Sequence, residues 1–226
     1  MIKIIITSIF FFVRACAFVH AQIFYAYGCK DLEKVSLTFD DGPCESTKKI
    51  LKILKNHNVK ATFFILGIRV KNNSNITKAI YSDGHEIANH TYRHINFYNY
   101  KNIDKTTRIE EELLQGEVII KNTTGTPPFL VRFPYGYAKA DAINIAKKHG
   151  YYIINWSFGC DWKQMTAEEM HEKYKKALKK GAIFLMHDLP KNEKILSFLS
   201  SFICYIKGSG YEIVTVSELL NLKQQH

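Results

Sequence analysis

The hexapeptide Thr38-Phe39-Asp40-Asp41-Gly42-Pro43 sets two adjacent carboxylates between a β-type run, Val35-Ser36-Leu37, and a Gly-Pro turn. Side chains alternate faces along a strand, so neighbouring aspartates inside one diverge. At a strand end, where the chain leaves the ladder, both can point into one pocket. One can then bind a cation while the other stays free as a base, a division of labour suited to metal-assisted hydrolysis.

Four further motifs could join them. In His90-Thr91-Tyr92-Arg93-His94 the two histidines are four residues apart. On a helical turn they would share a face and chelate one ion. With Asp41 they supply two imidazoles and one carboxylate, a set that leaves positions open for water, as catalytic zinc sites do. Arg132-Phe133-Pro134-Tyr135-Gly136 offers an arginine that either pairs with a carboxylate for stability or holds Asp40 ionised and oriented. Asp161-Trp162 and Leu185-Met186-His187-Asp188 complete the group. Taken singly, His187 reads as a satisfied strand-end histidine; beside the others it reads as a proton donor.

These residues must be positioned by alternating β and α elements. Strands are expected at 35–39, 61–66, 86–88, 129–133, 151–156, 182–186 and 211–214. Helices are expected at 45–57, 77–81, 104–121, 138–149, 166–180 and 194–207, with Thr166 as a cap and a last short helix from Ser217. Repeated β-then-α units imply a parallel sheet. About seven of them in one domain suggest a distorted (β/α) barrel, with an open doubly wound sheet as the alternative. Asp40, Asp41, His90, Arg132, Asp161 and His187 all fall at or just past the carboxyl ends of expected strands. Ligand sites gather at that edge in both architectures.

The chain has 226 residues, 46% of them hydrophobic, enough for one well-buried domain. Residues 1–21 read as a signal peptide: Lys3, an apolar run at 4–13, and small residues at Ala15, Ala17 and Ala21. Cleavage is expected near Ala21-Gln22, leaving residues 22–226 as the catalytic domain of a secreted or wall-bound protein; an uncleaved anchor is the alternative. The net charge of +10 falls to +8 when Lys3 and Arg14 leave. Such a surface favours acidic walls, phosphate-bearing glycans or anionic membranes, the leader argues against nucleic acid, and the plainest reading is a solvated basic surface with no specific partner. Four cysteines, Cys29, Cys44, Cys160 and Cys204, would remain, and a Cys29–Cys204 disulfide fastening the chain ends is the expected pairing, with four free thiols as the alternative. Asn-x-Ser/Thr sequons occur at Asn72, Asn75 and Asn122; one at Asn89 overlaps the candidate metal site and is expected to be bare.

The ordered motifs resemble the polysaccharide deacetylase (NodB-like) family of carbohydrate esterases: Thr38 to Pro43, His90 to His94, Arg132 to Gly136, Asp161-Trp162, and Leu185 to His187. The stretch Ala61 to Gly67 is similar to the family's second strand, and the resemblance runs over about residues 35–216. It implies a distorted (β/α) barrel and metal-dependent removal of acetyl groups from a polysaccharide. It implies Asp41, His90 and His94 as ligands of zinc (Zn2+), or of another divalent ion such as Co2+. Asp40 would be the general base and His187 the general acid, oriented by Arg132 and Asp161 respectively. The backbone N–H of Tyr135 would meet the oxyanion, and Trp162 and Leu185 would line the acetyl pocket. One position departs: members often carry an aspartate three places before the Asp-Trp pair, and here it is Phe158. A shortened or rearranged loop is therefore expected there.

The substrate expected is chitin or chitooligosaccharides, since a leader, cysteines and sequons together suggest a fungus-like source; a monomer is expected. Peptidoglycan and acetylxylan are the bacterial alternatives. A non-catalytic wall or spore-coat binding protein is the competing class. The intact Asp40 and His187 stand against it; Phe158 and the basic charge stand for it. Hydrolysis of a small cyclic amide shares the barrel but accounts for neither the leader nor Trp162.

Overall fold

The structure, a computed structural model, describes residues 22–189 and 193–224; the expected leader lies outside them. In chain order the first elements are β1 (Phe24–Tyr25), β2 (Lys34–Asp40), α1 (Glu45–Asn56), β3 (Thr62–Ile65), α2 (Gly67–Asn72), α3 (Ser74–Ser82), β4 (Glu86–Asn89) and α4 (Lys105–Thr124). Then follow β5 (Leu130–Val131), a 3-10 turn (Pro134–Gly136), α5 (Ala140–Lys148) and β6 (Tyr152–Ile154). The chain ends with α6 (Ala167–Lys176), β7 (Ile183–His187), α7 (Glu193–Gly208), β8 (Glu212–Ile213) and α8 (Val216–Leu220).

β2 shows why the sheet curls into a barrel. Its odd positions, Val35, Leu37 and Phe39, are fully buried against Ile50 and Leu54 of α1 and Phe202 of α7. Its even positions, Ser36, Thr38 and Asp40, are also buried and face inward. A parallel strand covered on both faces needs helices outside and a filled interior. The interior is filled by Phe64, Leu130, Ile154 and Ile183, with Val216 and Leu219 of α8 packed among them. The strands run parallel in the order β1, β6, β5, β4, β3, β2, β7, and β8 pairs with the start of β2. Register then levels the site: Asp40 lies opposite Phe64 of β3 and His187 of β7. Between β6 and β7 a ladder gives way to an isolated bridge, Phe158 to Phe184, closed by Ser157 N–H to Ile183 O (2.9 Å) and Leu185 N–H to Phe158 O (2.8 Å). The curled parallel sheet is the distorted (β/α) barrel that the β-then-α order implied.

Several local expectations are corrected. The helix expected at 77–81 begins at Ser74 and is preceded by α2, for which no element is expected from the sequence. The strands at 129–133 and 211–214 shrink to two residues, because the chain leaves the ladder early to build loops at the barrel mouth or base. The Cys29–Cys204 disulfide is absent: all four described cysteines are free. The Cys29 sulfur lies against Asp31, and Cys204 sits on α7 facing His57, so each sulfur has its own neighbour on a different part of the surface. Among the described residues no helix is long and apolar enough to cross a membrane.

Thr166 caps α6 as expected, accepting from Glu169 N–H (3.1 Å) while Glu169 accepts from Thr166 N–H (2.9 Å). Thr166→Ala removes this reciprocal box and is expected to lower unfolding free energy by about 1 kcal/mol in urea denaturation.

Candidate active site

Arg132 leaves the end of β5 and crosses the barrel interior with no exposed surface. Its guanidinium donates to Ile154 O (2.9 Å), Asn155 O (3.0 Å), Thr38 Oγ1 (2.9 Å) and Asp40 Oδ1 (2.6 Å), and lies 3.9 Å from the Phe64 ring centroid. Burial lowers its pKa from the usual value, and the Asp40 carboxylate opposes that shift. An arginine keeps its charge through such a shift. The pair therefore fixes Asp40 by one oxygen and leaves Oδ2 facing His90 Nε2 at 3.8 Å.

Asp41 turns away from the strand in a left-handed conformation, φ 75°. Its Oδ1 lies 3.1 Å from His94 Nε2 and 3.4 Å from His90 Nε2. That oxygen is buried and has no hydrogen-bond partner among the described residues. Burial raises the Asp41 pKa, but nearby His90, with His94 and His187, more than reverses this and holds it well below the carboxylate range. His90 Nδ1 sits 2.6 Å from Arg132 O, which can only accept, so the proton is on Nδ1 and the Nε2 lone pair faces Asp41. The ligand atoms of Asp41, His90 and His94 lie within 4.8 Å of one another. A buried acceptor ringed by two imidazole nitrogens fits a divalent cation.

The two histidines are not on a helix. Thr91 (φ 70°) and His94 (φ 64°) are left-handed, and the loop folds back so that the rings stand 5.0 Å apart. Helix α4 holds that loop. The fully buried Glu112 accepts from Tyr92 N–H (3.1 Å) and Arg93 N–H (2.6 Å). Asn89 donates to Leu113 O (2.9 Å) and accepts from Thr91 N–H (2.8 Å), and a Cβ at Gly116 would strike the Asn89 amide. Asn89 is wholly buried and engaged, in keeping with a bare sequon.

Across the mouth, His187 ends β7. Asp161 accepts from both its backbone N–H (2.7 Å) and its Nδ1 (2.9 Å). Burial lowers the His187 pKa, but the Asp161 bond and charge, with Asp40 and Asp41, raise it to about 9. Phe158 does not break this pair: its ring packs edge-on against Tyr174, 5.1 Å away, on the outer side of the bridge. A cavity of about 740 Å³ connects the two halves, lined by the catalytic candidates together with Tyr135, Trp162 and Leu185. All ten site residues expected from the sequence thus meet in one place.

Two participants went unassigned in the sequence reading. Glu112 was hidden inside an apolar stripe, where a carboxylate among Ile109, Leu113 and Gly116 was the available signal. Asp188 follows His187 and is buried behind the hexapeptide. It accepts from Thr47 Oγ1 (2.5 Å), its N–H donates to Asp40 O (3.1 Å), and its O accepts from Cys44 Sγ (2.6 Å). Burial, reinforced by Asp41 and Asp40, pushes its pKa up to about 7. A Cβ at Gly42 would collide with its carboxyl, which is why the turn needs glycine.

The sequence model of the polysaccharide deacetylase family matches residues 27–154. A peptidoglycan-N-acetylglucosamine deacetylase of Listeria monocytogenes is 36% identical over 200 residues, covering 87% of this chain and 41% of the relative, so the chain spans about two fifths of that relative's length. A chitooligosaccharide deacetylase of Bradyrhizobium is 32% identical over 200 residues, covering 82% of this chain and 90% of the relative. The crystal structure of the peptidoglycan N-acetylglucosamine deacetylase Bc1960 superposes with a TM-score of 0.84 at 32% identity, over 92% of this chain and 97% of that one. With the five motifs gathered at one barrel mouth and these relatives aligned along most of its length, the chain belongs to the polysaccharide deacetylase family.

Proposed function

We propose that the chain removes N-acetyl groups from N-acetylglucosamine units of a glycan, with peptidoglycan ahead of chitin as the polymer. One observation carries the reaction. Asp40, fixed by Arg132, stands between the Asp41-His90-His94 set and His187, so base, cation site and acid share one cavity. The polymer preference rests on the Listeria relative and the Bc1960 structure, whose names specify peptidoglycan; the Bradyrhizobium relative keeps chitooligosaccharides as the second reading.

An amide carbonyl is a poor electrophile and water a poor nucleophile at neutral pH. Asp41, His90 and His94, two imidazoles and one carboxylate, would hold a zinc ion, which would supply Lewis-acid polarisation and lower the pKa of water. Asp40 takes the water proton at Oδ2, because Arg132 occupies Oδ1. The Tyr135 N–H, set at the cavity wall by a left-handed turn (φ 59°), donates to the carbonyl oxygen as charge develops. His187 gives its Nε2 proton to the leaving amine while Asp161 keeps Nδ1 protonated. Trp162, edge-on to His187 at 5.8 Å, and Leu185 form the apolar wall for the acetyl methyl.

Asp40→Asn is expected to lower acetate release about 10²- to 10⁴-fold while zinc content, measured by atomic absorption, is retained. Activity above a tenth of wild type would remove Asp40 from the base role. Chelation should abolish acetate release and added Zn2+ restore it, whereas Asp41→Ala should fail to recover with Zn2+ at the same concentration.

His187 has a folded pKa raised to about 9, above the unfolded value near 6.5. Its stabilising contribution is therefore complete below about pH 6.5 and is lost as pH rises through about 9. NMR titration of the metal-free protein should place the His187 imidazole near 9, and Asp161→Asn should shift it downward. An unchanged titration in that variant would dissociate the two residues.

A further inference from the structure

The acid–base chemistry does not use all of the cavity wall. Lys163, Gln164 and Lys194 also line it, and Lys163 directly follows Trp162. The segment 157–166 is the one that departs at Phe158. It bridges β7 at Phe158 and then brings Trp162, Lys163 and Gln164 into the cavity wall. Lys194, at the start of α7, donates to Met165 O (2.8 Å), which ties its ammonium to that segment. Both lysines are exposed, and neither pairs with a carboxylate among the described residues.

The charges inside the cavity make those two cations informative. Asp40 is neutralised by Arg132 at 2.6 Å and Asp161 by His187 at 2.9 Å. Asp41 faces two imidazoles and the cation site. Among the described residues no lining carboxylate is left over to balance Lys163 and Lys194. A concave, low-dielectric wall concentrates the field of unpaired charges inside it.

We propose that Lys163 and Lys194 form a carboxylate subsite. It binds an anionic substituent on the glycan next to the N-acetylglucosamine unit whose acetyl group reaches the candidate metal site. The inference rests on the deacetylase reading of the site and adds a charge requirement to its substrate. In peptidoglycan the carboxylate has two sources, a free lactyl ether on the muramic unit or the stem peptide. A chitooligosaccharide has neither.

The test separates binding from turnover. Calorimetric affinities of the zinc-loaded Asp40→Asn protein are measured for three tetrasaccharides: a muramyl glycan with free lactyl carboxylates, the same glycan bearing stem peptides, and neutral chitotetraose. At least one charged glycan is expected to bind about five- to tenfold tighter than chitotetraose at low salt, from two partly exposed ion pairs. The arm that gains identifies the source of the carboxylate. In the Lys163→Gln/Lys194→Gln background that ratio should collapse toward one, while Lys52→Gln/Lys55→Gln, removing equal charge from α1, should leave it intact. Equal binding of charged and neutral glycans, or a preference that survives Lys163→Gln/Lys194→Gln, overturns the subsite. Acetate release by the wild-type protein on the same glycans judges the deacetylase reading separately.

Discussion

The Arg132–Asp40 pair is the interaction on which the site depends. A guanidinium with no exposed surface is costly to bury, and only excellent geometry offsets the desolvation. Here the geometry spans three strands. The donors reach Thr38 and Asp40 on β2 and the carbonyls of Ile154 and Asn155 at the end of β6, while the arginine itself extends β5. The plane of the guanidinium covers Phe64 of β3. One side chain thus ties opposite walls of the barrel at the level where the chemistry is assembled. Lysine could not replace it, because a single ammonium cannot serve four acceptors in a fixed plane.

Backbone strain is concentrated where function needs it. Six described residues other than glycine have positive φ, and four of them, Asp41, Thr91, His94 and Tyr135, lie in the site or in the loop that carries its histidines. The other two are asparagines, which tolerate that region. Each such residue costs of order 1–3 kcal/mol unless its surroundings over-determine it. Those surroundings are identifiable: Asp188 and Thr47 behind the hexapeptide, and Glu112 and Gly116 of α4 behind the histidine loop. The candidate ligands are thus held by contacts with the protein's own residues.

Much of this was legible in the sequence. The ten site residues, the β-then-α order and the Thr166 cap all rest on local patterns: residue type at a strand end, spacing, and capping chemistry. The misreadings share a cause. His90 and His94 were correct as a pair, yet their four-residue spacing suggested a helical turn, and the loop is instead left-handed at Thr91 and His94. Nothing in the pentapeptide itself favours that path; Glu112, about twenty positions away, provides it. Cysteine parity misleads likewise, because pairing needs two sulfurs to approach and the barrel puts Cys29 and Cys204 beside different neighbours.

By itself the sequence determined which chemical groups are present and which elements carry them, since apolar periodicity and turn chemistry act over a few residues. It also separated the two aspartates into one candidate ligand and one candidate base. Only the tertiary structure decided how they are held. Register across β2, β3 and β7 sets Asp40 level with His187, and a buried arginine from β5 takes one oxygen of Asp40 and leaves the other open. It also brought the segment after Phe158 to the cavity wall, placing Trp162 and Lys163 in the same cavity as the candidate metal set. These are long-range contacts between groups far apart in the chain, and no local pattern encodes the distance between them.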